Sequence, residues 1–144
     1  MNWLFYVLAL LSGVVLALQA AINGGLGKRI GSIEGAFVSF SVGTLALLVA
    51  VLFIGKGTLP SLAGIPKYQL TGGLMGAFYV AISVMVVPKL GVASTLTAVI
   101  VGQLIMGSII DHYALLGGKQ ISFDMKRALA LVCLGVGLWL FYKK

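Results

Sequence analysis

The side chains able to do chemistry are few, and most sit at the ends of apolar runs. The chain of 144 residues has three acids (Glu34, Asp111 and Asp124), one histidine (His112) and one cysteine (Cys133). One histidine and one cysteine do not make a recognisable Cys/His metal cluster. Cys133 lies inside an apolar run, has no internal disulfide partner, and reads as a small buried hydrophobe. Gly24-Gly25-Leu26-Gly27-Lys28-Arg29 resembles a phosphate loop only superficially. It lacks the G-x-x-x-x-G-K-[ST] spacing, and no strand precedes it. No catalytic residue, metal or cofactor is therefore expected, and the chain is not read as an enzyme. The acids suit other work. Glu34 stands at the start of an apolar segment, where a carboxylate favours a helix dipole or takes up a proton or cationic group. Asp111-His112 ends another segment. An acid at a helix C-terminus opposes the dipole and requires a partner, either His112 or a basic loop residue, and such a pair can carry a proton. Asp124 is expected to cap the last helix.

The neutral polar residues form stripes at helical spacing. Ser12, Gln19 and Asn23 share one face, as do Glu34, Phe37, Ser41 and Thr44. Met75, Tyr79 and Ser83 step by four, and Thr95, Gln103 and Asp111 by eight. Polar groups avoid lipid, so these faces are expected to meet other helices or an aqueous cavity. Ser41, Thr44, Ser83 and Thr95 are expected to bond their own backbone one turn earlier. Gln19 and Gln103 are costlier to bury and serve either as interhelical glue or as cavity lining. Tyr79 offers a ring face and a hydroxyl. The candidate substrate contacts are Gln19, Asn23, Tyr79 and Gln103, and the candidate proton or ion sites are Glu34, Asp111 and His112. Small residues recur every four positions: Gly13, Ala17, Ala21 and Gly25; Gly35, Ser39 and Gly43; Gly72 and Gly76; Ser94, Ala98 and Gly102. This spacing lets backbones approach closely, so Gly13, Ala17, Gly43, Gly72, Gly76 and Gly102 are candidate helix-packing positions.

The elements that must position these residues follow from composition. Sixty per cent of the chain is apolar, 9% is charged, and there are 20 glycines besides. A soluble domain averages about 25% charged residues. A 150-residue domain still exposes roughly 30% of its unfolded-chain surface. A water-soluble domain is therefore excluded, and an all-α integral membrane protein remains. A membrane span needs about 20 apolar residues. Five segments qualify or nearly so: about 3–22, 35–54, 70–87, 92–110 and 126–142, the last extended by the stems of Lys126 and Arg127. The runs are too long and too uniformly apolar for barrel strands. Pro88–Gly91 permits only a tight hairpin. The linkers leave no room for an extramembrane domain, so 1–144 reads as a single transmembrane domain. The first segment lacks a basic n-region and is too long for a secretory h-region, so it reads as a span rather than a cleaved leader.

The ten basic residues give a net charge of +7, but they sit singly or in pairs beside apolar runs. That is membrane-flanking charge, not a nucleic-acid surface. With the N-terminus on side one, Lys56, Lys67, Lys119, Lys126 and Arg127 fall on that side. Lys28, Arg29, Lys89, Lys143 and Lys144 fall on the other. Five against five gives the positive-inside rule nothing to act on, so insertion in both orientations is expected. Two identical chains could then pair antiparallel and build an inverted repeat, the architecture of many secondary transporters.

Particular motifs carry a resemblance. Gln19-Ala-Ala-Ile-Asn23 followed by Gly27-Lys-Arg-Ile-Gly31 is similar to the first loop region of the YdcZ-like family of the drug/metabolite transporter superfamily. Ser39-Phe-Ser-Val-Gly43-Thr44 resembles that family's second-helix motif. Gly102-Gln103 and Ile110-Asp111-His112-Tyr113 resemble the end of its fourth helix. The resemblance covers five consecutive spans. It implies a five-helix repeat that works as a homodimer or with a paired homologous subunit, exporting or exchanging small metabolites or drugs. Related four-helix multidrug proteins carry a glutamate in the middle of helix one. Here that helix has Gln19 and no acid, so any coupling falls to Glu34 or to Asp111 and His112. The sequence thus predicts a small-molecule secondary transporter in a lipid bilayer, a prokaryotic inner membrane, working by alternating access as an antiparallel dimer. The alternative is a non-transporting membrane subunit that functions only with a partner chain.

Overall fold

A computed structural model of the chain describes residues 3–143, so Lys144 lies outside the described residues. Five long α-helices account for most of them: α1 (Trp3–Ile30), α2 (Ser32–Ile54), α3 (Gly72–Leu90), α4 (Val92–His112) and α5 (Met125–Tyr142). Each lies in a stretch long and apolar enough to cross a membrane. Their outward surfaces are apolar too: Phe37, Leu52, Phe53, Leu74 and Met125 are among many large hydrophobics left exposed. A bilayer is the solvent that accepts such a surface.

The first helix is longer than the expected 3–22. It runs for 28 residues through Asn23-Gly24-Gly25 to Ile30, roughly 42 Å at 1.5 Å per residue. Each glycine costs a helix about 1 kcal/mol relative to alanine. Backbone groups left unpaired in hydrocarbon cost several kcal/mol each, so a break there is the worse option. Lys28 and Arg29 fall in the last turn, where cations complement the helix dipole.

One glycine ends α1 and starts α2. Gly31 has φ 103° and ψ 150°, a region open essentially to glycine alone. Its N–H donates to the Gly27 carbonyl at 3.0 Å, and its carbonyl accepts from Gly35 N–H at 2.9 Å. The turn thus leaves neither of its own backbone groups unpaired. Gly91 between α3 and α4 repeats the device with φ 83° and ψ 162°. Its carbonyl accepts from both the N–H and the hydroxyl of Thr95. Helix α3 continues through Pro88 before this break. The α2–α3 connection contains two short 3₁₀ turns, Leu59–Gly64 and Lys67–Thr71.

The chain divides into two compact units, Met1–Lys89 and Leu90–Lys144. In the first, α1 and α2 pack side by side, and Ala36, Val80 and Val84 form a core against which Phe40, Tyr79 and Ala81 pack. In the second, α4 packs on α5.

Candidate functional site

The first unit buries polar groups among its helices. On α1 the buried face is Ala20, Asn23, Gly24 and Gly27; on α3 it is Val80, Ser83, Val84 and Val87. Both sets follow helical periodicity. Glycine brings the faces together. A β-carbon at Gly24 would lie 2.9 Å from Val87 Cγ1, and one at Gly27 would run into Val84 Cγ1. At Gly35 of α2 a β-carbon would lie 3.2 Å from the Gly27 backbone. The α1–α2 pairing is symmetric about Gly31. Gly27 and Gly35 stand one turn away on either side, and Asn23 and Ser39 two turns away. There, Asn23 Nδ2 donates to Ser39 Oγ at 3.0 Å.

Two hydroxyls on α3 differ from the rest. Tyr79 Oη and Ser83 Oγ are fully buried and have no hydrogen-bond partner among the described residues. They lie one turn apart, so they share a face of α3. Ser41, Thr95 and Thr97 donate to the carbonyls of Phe37, Gly91 and Ala93 four residues back, as expected of serine and threonine in such helices. Ser83 was expected to do the same and does not. A buried hydroxyl without a partner costs about 1–3 kcal/mol, so the pair represents recognition capacity that the chain itself leaves unused.

The other candidate substrate residues lie elsewhere on the chain. Gln19 and Gln103 are exposed. Gly76 packs toward Phe40 at 3.3 Å from its β-carbon position, whereas Gly13, Gly43, Gly72 and Gly102 meet no neighbouring atom within 4 Å among the described residues. Glu34 is exposed in the first turn of α2 and folds its Oε2 back against Gly31. Ser39 and Ser83 were not singled out as substrate contacts. Position marks both: Ser39 stands at the small-residue step after Gly35, and Ser83 one turn beyond Tyr79.

The second unit treats its polar groups differently. Asp111 Oδ2 accepts from Arg127 Nη1 at 3.1 Å, so the basic loop-side residue is the partner its helix position required. The Asp111 carbonyl also accepts from Ile121 N–H at 2.9 Å. His112 Nδ1 accepts from Phe123 N–H at 3.1 Å. The His112 and Tyr113 rings meet edge-on, 4.7 Å between centroids. Asp124 Oδ1 accepts from Arg127 N–H at 2.9 Å and caps α5 as expected. Arg127 thus joins the α5 cap through its backbone and ties the α5 start to the α4 end through its side chain. Two open grooves run along this helix pair. One, of about 240 Å³, is lined by Leu104, Ser108, Asp111, Arg127 and Leu134. The other, of about 400 Å³, is lined by Ile105, Ser108, His112, Phe123 and Leu131. Both linings are mainly apolar, and both grooves are open rather than enclosed, as grooves that lipid chains can fill are. The unpartnered buried hydroxyls of α3 are therefore the better candidate for recognition.

A family model described as "Putative inner membrane exporter, YdcZ" matches residues 4–140. No curated protein and no solved structure matches the chain.

Proposed function

The chain belongs to the YdcZ family of the drug/metabolite transporter superfamily, and from that premise we propose that it carries small molecules across the membrane by alternating access, as an antiparallel pair of five-helix copies. The observation that carries this reading is the pair of buried, unpartnered hydroxyls, Tyr79 Oη and Ser83 Oγ, in the same unit as the Asn23–Ser39 contact. A chain meant only to sit in lipid gains nothing from leaving such groups unsatisfied. A chain that must bind a polar solute and release it does. Asn23 and Tyr79 contact the solute from within the first unit. Gln19 and Gln103, exposed on the single chain, contact it from surfaces that a second copy covers. The open faces at Gly13, Ala17, Gly43, Gly72 and Gly102 serve that contact between copies. Coupling to a proton or ion falls to Glu34, Asp111 and His112, and Asp111 takes part only by leaving Arg127. The family description makes export the first direction to test.

The test sets orientation against transport. Two lysines added to one side of the chain fix its insertion, because the wild-type basic residues are evenly divided. Such a variant, alone in liposomes, is expected to lose solute flux. Co-expression with a variant biased to the opposite side is expected to restore it. Full flux from the singly biased variant would sink the antiparallel pair. Flux that appears only with a different, neighbouring chain would favour the paired-subunit alternative.

A further inference from the structure

We propose that the α1–α3 cluster takes an uncharged, hydrogen-bonding solute and rejects organic cations and anions; this deepens the transport reading and rests on it. Every acid in the chain has a place. Glu34 is exposed in the first turn of α2, against Gly31. Asp111 is paired with Arg127, and Asp124 caps α5. The nine basic residues among the described ones are equally accounted for. Lys28, Arg29 and Lys89 lie in last turns of helices, Lys56, Lys67 and Lys119 lie outside the long helices, and Lys126 and Arg127 open α5. Lys143 follows α5 and lies over the Trp139 ring. None of these described residues is among Asn23, Ser39, Tyr79 and Ser83, the buried or half-buried polar groups of the first unit.

What the cluster does contain is neutral. Ser83 is 5% exposed, and its hydroxyl has no partner; the Tyr79 hydroxyl is buried and equally free. Asn23 and Ser39 add an amide and a hydroxyl that already satisfy one another in part. Each hydroxyl both donates and accepts, so together they match a solute with hydroxyl, amide or ring-carbonyl groups. A bare charge placed among them would be desolvated without a counter-charge, and buried charges are tolerated only when paired. The Tyr79 ring is no substitute for a carboxylate, since it packs against the aliphatic core of Ala36, Val80 and Val84.

The experiment uses the full chain in liposomes of phosphatidylethanolamine and phosphatidylglycerol. Four labelled probes are compared: uridine and mannitol as uncharged solutes, tetraphenylphosphonium as a cation, and succinate as an anion. The uncharged probes are expected to exchange, and Tyr79→Phe and Ser83→Ala are each expected to slow that exchange about tenfold, the loss of one hydrogen bond. Both variants are expected to melt no lower than wild type, which separates lost recognition from lost folding. Flux of tetraphenylphosphonium or succinate above that of uridine and mannitol overturns the solute class but leaves the transport reading intact. Uncharged flux indifferent to both substitutions overturns the site. No flux of any probe through folded protein sinks the transport reading and this inference together.

Discussion

The α1–α3 region and the α4–α5 region use the same apolar alphabet to opposite ends. In the second unit each acid is answered. Asp111 meets Arg127, Asp124 caps a helix, and even His112 accepts from a backbone N–H. In the first unit, glycines bring three helices into close contact, yet two hydroxyls inside that packing meet nothing. Satisfied polar groups hold a structure in one arrangement, whereas unsatisfied buried ones await a ligand or a second state. The difference leaves satisfied polar groups at the α4–α5 helix ends and two unsatisfied hydroxyls inside the first unit.

The strongest way to break this comparison is to fill the glycine contacts. Gly27→Val places a branched side chain against Val84 on one side and the α2 backbone at Ser32 on the other. Backbone cannot give way as a flexible side chain does. A loss of about 3 kcal/mol is expected, at the upper end for overpacking, read as a lower midpoint in thermal or detergent unfolding. Gly13→Ala is the matched control, because nothing lies within 4 Å of that position. It is expected to leave the monomer as stable or slightly more so, since alanine favours helix over glycine. A loss at Gly13 as large as at Gly27 would show that a second copy packs on that face.

In the second unit the largest single term is a cap. Asp124→Ala removes the acceptor for Arg127 N–H and is expected to cost about 1 kcal/mol. Asp124→Asn should recover most of it. Hydrogen exchange at the first turn of α5 reads the effect directly. If alanine and asparagine behave alike, the cap contributes nothing and the comparison weakens.

Much of this arrangement was legible in the residues. Five long apolar runs, Asp124 ahead of the last of them, and glycine with proline at the α3–α4 joint all act through local physics, and local physics can be read along a chain. The end of α1 was not legible in the same way. Asn23-Gly24-Gly25 has the composition of a loop, and only packing on Val84 and Val87 explains why glycines sit within a helix there. The partner of Asp111 was narrowed to His112 or a basic residue, and the choice depended on how 113–124 folds back over α4. Asn23 was picked as polar and on the face of Ser12 and Gln19, but its partner Ser39 stood among the packing residues, because hydrogen-bonding partners are set by register between helices and not along one.

The smallest effects test the comparison most finely. Double-mutant cycles on Asn23/Ser39 and on Asp111/Arg127 measure one polar contact in each unit by the same method. The first is buried, neutral and inside the spans. Interhelical hydrogen bonds of this kind average about 0.6 kcal/mol in membrane proteins. The second is charged, but its side chains are 32% and 41% exposed at a helix end. Solvent and headgroup screening therefore reduce it to about 0.5 kcal/mol or less, as for other exposed ion pairs. The charged pair should also weaken as salt is added, and the neutral pair should not. A coupling at Asp111/Arg127 well above that at Asn23/Ser39, unmoved by salt, would mean that the ion pair lies in low dielectric. The second unit would then hold a buried charge pair, and the contrast between its screened ion pair and the neutral contact of the first unit would fail.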